Sequence, residues 1–505
     1  MSAGGRVYLV GAGPGDPGLI TRRGLELLRE CDLVVLDRFI PPSLLQELKP
    51  GARRVYTGQR PGEAPPDPQE IRALIAERAR AGDVVVRLES GDPFLFSAGA
   101  TEAVALAGDG IAVDVVPGVP AALAAPAYAG VPLTAGETGA VTIVSARDGN
   151  VGAPSRWYEL SRAATVVLLT DEVTVRPAVA AMVQEGRAPD EAAAVIEWGT
   201  TTAQRVVQGP LSEVGGRAVA AGLKGPLVAV TGPVVARREV LAWFERKPLF
   251  GVRVVVTRGR GQAGSLTALL EREGAAVVEM PVISIADPGS WKDLDQSIRL
   301  MAEGFFKWVI FTSTNAVEKL FERLAHASLD ARALGRAKVA AVGAGTARVL
   351  AGHGIVADLV PEEFTGAAVV AALGRGSGRI LLPRVQGAPG EIVESLTAAG
   401  WSVREVTAYR NLPAGKDSLG AAVVASGRFD VVTFTSASTV RNFLAVAGAP
   451  EDLGLTPGGS GRGVACIGPV TAAAAEGAGL RVDVVAEEHS TTGLVDALVA
   501  RFGRR

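Results

Sequence analysis

The sequence predicts an α/β protein with more than one domain, and three observations support this prediction. Short runs rich in Val, Ile and Leu alternate with helical stretches along all 505 residues, which is typical of parallel or mixed sheets covered by helices. The chain is too long for one ordinary core, since domains average roughly 150 residues. The second half repeats its own pattern once, which indicates a pair of similar α/β units.

The composition is typical of a folded protein outside the membrane. Apolar residues make up 48% of the chain and charged residues 21%, whereas disordered proteins are poorer in apolar residues. No apolar run approaches the ~20 residues that a membrane helix needs. The N-terminus enters a strand without a signal-peptide pattern. We therefore expect a cytoplasmic protein with no membrane partner.

Charge and metal-ligand patterns exclude two further classes. A formal net charge of −2 disfavours a nucleic-acid partner, because phosphate neutralisation needs a basic surface. Cys31 and Cys466 stand far apart in apolar segments, so we predict that both are buried and unpaired. The three histidines, His326, His353 and His489, lack metal-ligand spacing. We predict no metal site.

Seven β-rich runs mark predicted strands of the first half. They are VYLVGAG, LVVLD, VVVRLES, VDVVPG, VTIVSA, TVVLLT and AVIEWG. The segment from Trp243 to Gly251 is predicted to end a helix with its charges and Pro248, and the strand VRVVVTR follows directly. We place the domain boundary there, which gives domains 1–247 and 248–505.

Five segments of the second half recur in the same order about 125 residues later. The pairs are VVVTR with ILLPR, Gly274 with Gly400 and the strands that follow, IFTSTNAV with TFTSASTV, AVGAGTA with CIGPVTA, and PEEFTGAAVVAAL with AEEHSTTGLVDAL. We interpret them as two similar α/β units that face each other. Open α/β sheets bind ligands at their strand ends, so these ends are expected to line a shared cleft.

Each repeat places hydroxyl groups at strand-to-helix junctions, where helix N-terminal N–H groups favour anions. These residues are Thr312, Ser313 and Thr346 in the first repeat, and Thr435, Ser436 and Thr471 in the second. Each hydroxyl alone is equally well explained as a helix cap. Two symmetric sets favour a binding site.

The ordered motifs VTR, FTSTNAV, AVGAGTA, PEEF, LLPR, VTAYR, FTSAST and CIGPVTA resemble those of uroporphyrinogen-III synthases over the full length of this half. The resemblance implies cyclisation of hydroxymethylbilane with inversion of its last pyrrole ring, loss of water and no cofactor. It implies that Tyr409, in VTAYR, aids departure of the hydroxyl. It also implies that four residues bind substrate carboxylates, namely Ser313, Thr346, Ser436 and Thr471.

Two alternatives remain open for this half. Tyr409 is alternatively a strand tyrosine that bridges the two units. The whole half is alternatively a two-lobed sensor that binds a small ligand without chemistry, and turnover of hydroxymethylbilane would separate the two. The absence of a Ser/His/Asp or Cys/His constellation is expected for the synthase reaction, which needs no strong nucleophile.

The first half opens with VYLVGAGPGDPGLIT, a strand followed by a glycine-rich loop. Asp16 occupies the third-glycine position of the dinucleotide motif, which disfavours a nicotinamide enzyme. The segment resembles the opening of tetrapyrrole C-methyltransferases that use S-adenosylmethionine. The likeness continues through VVLDRF, GDPFLF, VVPGVPAALAAPAYAGVPLT, AVIEWGTTTAQRVV and GPLVAVTGPVV. It implies two α/β lobes with the cofactor between them, and a homodimer.

The resemblance also implies which residues form the methyltransferase site. The S-adenosylmethionine-binding residues would be Pro14, Ser90, Gly91, Asp92, Leu95, Pro120, Ala121, Thr170 and Gly199. Asp92 is suited to the amino acid end of the cofactor. Asp37, in VVLDRF, matches the proposed proton acceptor.

The sequence departs from the pattern of uroporphyrinogen methylation at a cluster of positions. These are Gln59, Glu89, Ala98, Thr101, Ala135, Gly136 and Thr170. Several of them replace cations that would face the substrate carboxylates, and this loss should weaken binding. Three alternatives stay open: methylation of uroporphyrinogen III toward precorrin-2, a degenerate domain kept for folding or dimerisation, and methylation of another substrate.

Overall fold

A computed structural model describes residues 5–58, 67–136, 139–146, 162–257, 260–363, 365–413, 418–459 and 461–503. The chain divides into two compact units. The first unit is Met1–Val252 with Arg272–Ala276 and Phe502–Arg505, and the second is Arg253–Glu271 with Val277–Arg501. The predicted domains 1–247 and 248–505 stay a prediction, with a boundary a few residues from this division.

The first lobe of the first unit is a five-stranded parallel sheet in the order β3-β2-β4-β1-β5. Its strands are β1 Val7–Gly11, β2 Leu33–Leu36, β3 Arg53–Tyr56, β4 Val85–Glu89 and β5 Val113–Val116. Its helices are α1 Arg22–Glu30, α2 Pro68–Arg80 and α3 Gly99–Gly108. The central strands β2 and β4 are buried throughout, because helices cover both faces of such sheets.

The second lobe is a mixed sheet in the order β6-β7-β10-β8-β9. Its strands are β6 Val141–Ser145, β7 Thr165–Thr170, β8 Ala192–Glu197, β9 Arg205–Pro210 and β10 Leu227–Thr231. In the described residues of this part of the chain, the helices are α4 Ala121–Tyr128, α5 Val175–Gln184, α6 Leu211–Ala220 and α7 Arg238–Leu241. All seven predicted strands of the first half are confirmed, while β3, β9 and β10 were not predicted.

The segment after α7 differs from its prediction. The helix ends at Leu241, and residues 242–252 form turns instead of the end of a helix. The rings of Tyr128, Trp243, Phe244 and Phe250 pack edge to face or tilted, with the centroids of contacting rings 4.8 to 5.4 Å apart. This aromatic packing fixes the segment without helical hydrogen bonds. The predicted strand then begins at Arg253.

The second unit contains two five-stranded sheets. The third sheet of the chain has the order β12-β11-β18-β19-β20, and the fourth has the order β13-β17-β16-β14-β15. The strands are β11 Arg253–Val256, β12 Ala276–Glu279, β13 Ile283–Ala286, β14 Trp308–Phe311, β15 Lys338–Ala341, β16 Arg379–Val385, β17 Ser402–Pro413, β18 Val431–Phe434, β19 Gly463–Cys466 and β20 Val484–Val485.

Ten helices cover these two sheets within the described ranges. They are α8 Arg260–Arg272, α9 Lys292–Ala302, α10 Thr314–His326, α11 Ala344–Gly352, α12 Gly366–Leu373, α13 Glu391–Ala398, α14 Leu419–Ala425, α15 Ala437–Ala447, α16 Pro469–Gly477 and α17 Thr491–Phe502. None of the helices in the described part of the chain has the length and apolar content that crossing a membrane requires.

The two sequence repeats are interleaved in these sheets. Strands β11 and β12 of the first repeat lie beside β18, β19 and β20 of the second. Strands β16 and β17 of the second repeat lie beside β14 and β15 of the first. The predicted pair of similar α/β units is therefore present, but each unit is built from parts of both repeats.

Candidate active sites

The glycine-rich loop after β1 lies at the carboxyl edge of the first sheet. The Gly91 N–H donates to the Gly13 carbonyl at 2.8 Å. A Cβ at Gly118 would lie 2.1 Å from the Gly91 carbonyl oxygen and 2.7 Å from Gly11 Cα. The segments after β1, β4 and β5 thus pack backbone to backbone, and only glycine fits between them.

Asp92 fixes this arrangement with its carboxylate. Its Oδ1 accepts from the Phe94 N–H at 2.8 Å and its Oδ2 from the Gly118 N–H at 2.9 Å. A Cβ at Gly91 would lie 3.7 Å from Pro120 Cα and 3.8 Å from the Ala121 nitrogen. Four of the predicted cofactor residues are therefore brought together here.

Asp16 ties the loop to the second lobe. Its N–H donates to Thr200 Oγ1 at 3.1 Å, and its Oδ2 accepts from the Tyr128 hydroxyl at 2.6 Å. Burial, together with the Asp16 carboxylate, raises the pKa of Tyr128, so its hydroxyl stays a donor. Asp16, which stands where the dinucleotide motif has its third glycine, therefore connects the two lobes. Sequence reasoning noticed Asp16 only as a departure and missed Tyr128 and Thr200.

The second lobe contributes Gly199 beside the loop. A Cβ at Gly199 would lie 2.3 Å from Ala125 Cβ, and one at Gly15 would lie 3.5 Å from the Gly199 carbonyl oxygen. Trp198 and Thr200, on either side, have φ of 47° and 72°. Such left-handed conformations at non-glycine residues are strained and cluster at functional sites.

The remaining predicted cofactor residues have different surroundings. Pro14 lies between Gly13 and Gly15 in the loop, and Ser90 follows β4. Leu95 is exposed on the loop before α3. Thr170, at the end of β7, is fully buried with its Oγ1 2.9 Å from Thr174 Oγ1.

Asp37 directly follows β2 and Glu89 ends the neighbouring strand β4, so both lie at the same edge of the sheet. The Asp37 N–H donates to the Leu88 carbonyl at 3.1 Å. The Glu89 side chain is only 1% exposed. The Ser97 hydroxyl donates to Glu89 Oε2, and Oε1 has no hydrogen-bond partner among the described residues. Burial raises the pKa of Glu89 to about 7.

This position corrects the interpretation of Glu89 as a residue facing the substrate. The side chain lies beneath the start of α3, and a Cβ at Gly99 would be 2.7 Å from its Oε1. By contrast, Ala98, Thr101 and Gly136 are exposed, so a cation at these positions would reach solvent. Gln59 lies outside the described residues.

Tyr409, on β17, lies in the core of the fourth sheet with 5% of its surface exposed. Its hydroxyl donates to Ser313 Oγ at 3.1 Å. Ser313 caps α10 by accepting from the Ala316 N–H at 3.2 Å. The tyrosine and the serine therefore form one hydrogen-bonded pair within one α/β unit, at the carboxyl end of β14.

The other predicted hydroxyls occupy matching positions. Ser436 caps α15, and it exchanges hydrogen bonds of 3.3 Å with Thr439 in a capping box. Thr346 and Thr471 are each the third residue of a helix, α11 and α16, and both are buried. Ser313 and Ser436 therefore do act as helix N-caps. Accepting a backbone N–H leaves the Ser313 hydroxyl proton available to a ligand, whereas Ser436 Oγ also lies 2.9 Å from Ser438 Oγ, and either of these hydroxyls can donate to the other.

The cysteines behave as the sequence predicts. Cys31 and Cys466 are both buried and free. Burial raises the pKa of Cys31 to about 11 and that of Cys466 to about 12. Both thiols are therefore protonated and inert at neutral pH. Within the described ranges, no group of three or more His, Cys, Asp or Glu residues is arranged to hold a metal ion.

Comparison with known proteins assigns both halves. Residues 6–215 match the family model of tetrapyrrole (corrin/porphyrin) methylases, and residues 264–496 match that of uroporphyrinogen-III synthase HemD. The porphyrin biosynthesis protein HemD of Ruminiclostridium josui is 32% identical over 505 residues, which cover 98% of each chain. The chain belongs to this HemD family. Both predicted resemblances are confirmed.

Other relatives match parts of this HemD-family chain. The uroporphyrinogen-III C-methyltransferase of Bacillus subtilis is 34% identical over 337 residues, 65% of this chain and 68% of that protein. The solved uroporphyrin-III C-methyltransferase of Thermus thermophilus with S-adenosylhomocysteine is 34% identical, with a TM-score of 0.39, and the match covers 46% and 99% of the two chains. A mutant uroporphyrinogen III synthase of the same organism is 23% identical, with a TM-score of 0.38 and coverage of 50% and 98%.

Proposed function

We propose that this chain performs two reactions on tetrapyrroles. The second half cyclises hydroxymethylbilane to uroporphyrinogen III, with inversion of ring D and loss of water. The first half methylates uroporphyrinogen III with S-adenosylmethionine toward precorrin-2. Membership of the HemD family supports this pairing, because one half would make the substrate of the other. The observation that carries the methyltransferase proposal is the packing of Gly11, Gly91 and Gly118 around Asp92.

The residues at this edge fit S-adenosylmethionine. Each Asp92 oxygen accepts one backbone N–H and keeps a lone pair for an ammonium group. The small side chain of Ala121 allows close approach to its backbone N–H and carbonyl groups. The bound cofactor would supply an electrophilic methyl group. Asp37 would take the proton that becomes acidic once a pyrrole carbon is methylated.

The synthase reaction needs few protein groups. Departure of the hydroxyl leaves a cation that the pyrrole itself stabilises, so the protein mainly folds the substrate and positions the leaving group. The Tyr409 hydroxyl donates to Ser313, and the Ser313 proton is then free to point toward the departing oxygen. Ser436, Thr346 and Thr471 are proposed to bind substrate carboxylates.

Tyr409→Phe tests this role. The change removes one hydrogen bond, which is worth about 0.5–1.5 kcal/mol of stability, and we expect turnover of hydroxymethylbilane to fall about tenfold or more. Initial rates and melting temperatures of the full chain provide the comparison. Equal turnover with unchanged melting would remove Tyr409 from the mechanism, and a large melting loss would favour a structural role.

Two serine variants form a matched control for this prediction. Ser313 and Ser418 both cap helices by accepting a backbone N–H at 3.2 and 3.1 Å, but only Ser313 receives the tyrosine hydroxyl. Alanine at either position should cost about 0.5–2 kcal/mol. Only Ser313→Ala is expected to lower turnover.

One assay on the full chain tests both reactions. The chain receives hydroxymethylbilane and S-adenosylmethionine labelled in the methyl group, and the isomers are separated after oxidation. We expect the type III isomer and labelled product. If the spontaneous type I isomer is the only product, the synthase proposal is refuted. Type III product without label would leave the first half as a structural domain or a methyltransferase for another substrate.

The predicted homodimer through the first half is also a proposal. Sedimentation of the full chain measures it directly. A monomer at micromolar concentration would refute it.

A further inference from the structure

Glu89 is a buried carboxyl group with one unsatisfied oxygen. It ends β4, its side chain is almost fully buried, and Oε1 has no hydrogen-bond partner among the described residues. A buried ionised carboxylate without full pairing is costly, so burial favours the neutral form. Neither the cofactor residues nor the proton acceptor of the proposed function uses this group.

The charges around Glu89 come from three elements of the first lobe. On its own strand, Arg87 forms an ion pair with Glu102 of α3, with Nε 3.0 Å from Oε2, and its positive charge also favours the ionised form of Glu89. The Ser97 hydroxyl, before α3, stabilises the ionised form. Asp37, after β2, and Glu102 disfavour it.

Asp37 is the neighbour with a proposed chemical role. Leu36 lies opposite Leu88 in the parallel pair of β2 and β4, so the next residues, Asp37 and Glu89, leave the sheet side by side. In this arrangement the negative charge of Asp37 disfavours ionisation of Glu89.

We propose that Glu89 is a positioning residue for methyl transfer, acting through Asp37. This inference rests on the proposed methyltransferase function. In the chemical step a C–H bond of the methylene bridge beside the methylated pyrrole breaks, its electron pair neutralises the cationic ring, and the proton passes to Asp37. The negative charge of ionised Glu89 draws the proton toward Asp37. Protonated Glu89 lacks this charge.

The rate of methyl transfer is expected to rise with pH. Glu89 is protonated below neutral pH and ionised above it, since its pKa is about 7. Single-turnover methyl transfer by the full chain should therefore rise about tenfold from pH 6 to pH 8. Glu89→Gln keeps an acceptor for Ser97 and should remove this rise. Ser97→Ala removes a bond that favours the ionised form, and should move the rise to higher pH.

A second measurement does not depend on activity. Infrared titration of the full chain should show a carboxyl group that ionises near pH 7, is absent in Glu89→Gln and moves to lower pH in Asp37→Asn. Glu26→Gln, which alters an exposed ion pair on α1, is the control and should change nothing. The inference is overturned if the carboxyl group ionises at the same pH in Asp37→Asn as in the parent chain. It is also overturned if methyl transfer by Glu89→Gln rises with pH as it does in the parent chain. If the carboxyl group titrates as expected in the parent chain and in Asp37→Asn but no methyl transfer occurs at any pH, the proposed methyltransferase function is refuted, and the interaction between Glu89 and Asp37 is not.

Discussion

Replacing Gly118 with alanine is expected to abolish binding of the methyl donor while leaving the synthase reaction intact. The new Cβ would lie 2.1 Å from the Gly91 carbonyl oxygen and 2.7 Å from Gly11 Cα. Neither contact can be relieved by rotating a side chain, because both atoms belong to the backbone. The segments after β1 and β4 must separate, at a cost of about 1–3 kcal/mol or more.

Calorimetry with S-adenosylhomocysteine measures this loss, and turnover of hydroxymethylbilane by the same sample confirms that the second unit is folded. Gly108→Ala, at the end of α3, is the control because nothing lies within 4 Å of its added Cβ. It should bind the donor normally and gain up to about 1 kcal/mol in stability. Normal binding by Gly118→Ala would refute the packing argument.

Arg187→Met is expected to destabilise the second lobe by about 3–5 kcal/mol, as observed when one partner of a buried ion pair is removed. The Arg187 side chain is 3% exposed, with Nε 2.5 Å from Glu191 Oε2. It also donates to the Ala163 carbonyl at 2.7 Å, while the Thr231 hydroxyl donates to Glu191. The variant would leave the Glu191 carboxylate without its cation.

Hydrogen exchange of peptides from residues 165–231 reports the effect locally. Arg217→Met is the matched control, because Arg217 and Glu213 form an Arg–Glu pair of the same spacing with side chains 50% and 56% exposed. Such surface pairs contribute about 0–1 kcal/mol. Equal effects of the two substitutions would contradict the argument from burial.

The sequence predicts seven of the ten described strands in the first half; of the three that it misses, β3 and β9 lie at sheet edges and β10 is a buried inner strand. VYLVG and LVVL read as strands because both faces of a parallel sheet are covered, which leaves continuous apolar runs. Strand β3 begins with the exposed Arg53 and Arg54, and the edge strand β9 contains no fully buried residue. Their strand conformation comes from pairing with a neighbour rather than from a local pattern.

Long-range packing accounts for the site features that the sequence did not reveal. Glu89 resembles an exposed strand-end residue until the start of α3 covers it. The role of Asp16 depends on Tyr128, more than a hundred positions away. The serines were predictable from their position before helices, because N-caps have a local signature.

The interleaving of the repeats could not be predicted from the sequence either. Both repeats carry the same local pattern, so β11 could pair equally well with a strand of either one. Only the tertiary structure shows that Val254 lies beside Val431.

This interleaving has a consequence for synthesis on the ribosome. Strand β11 is made early, but its central neighbour β18 emerges only after the whole fourth sheet has been translated. Until then the edge of β11 is unpaired and open to wrong partners. A nascent chain that stops between the repeats would hold two incomplete sheets rather than one finished unit. We therefore expect the second half to fold late, in a single step, and to depend on chaperones more than the first.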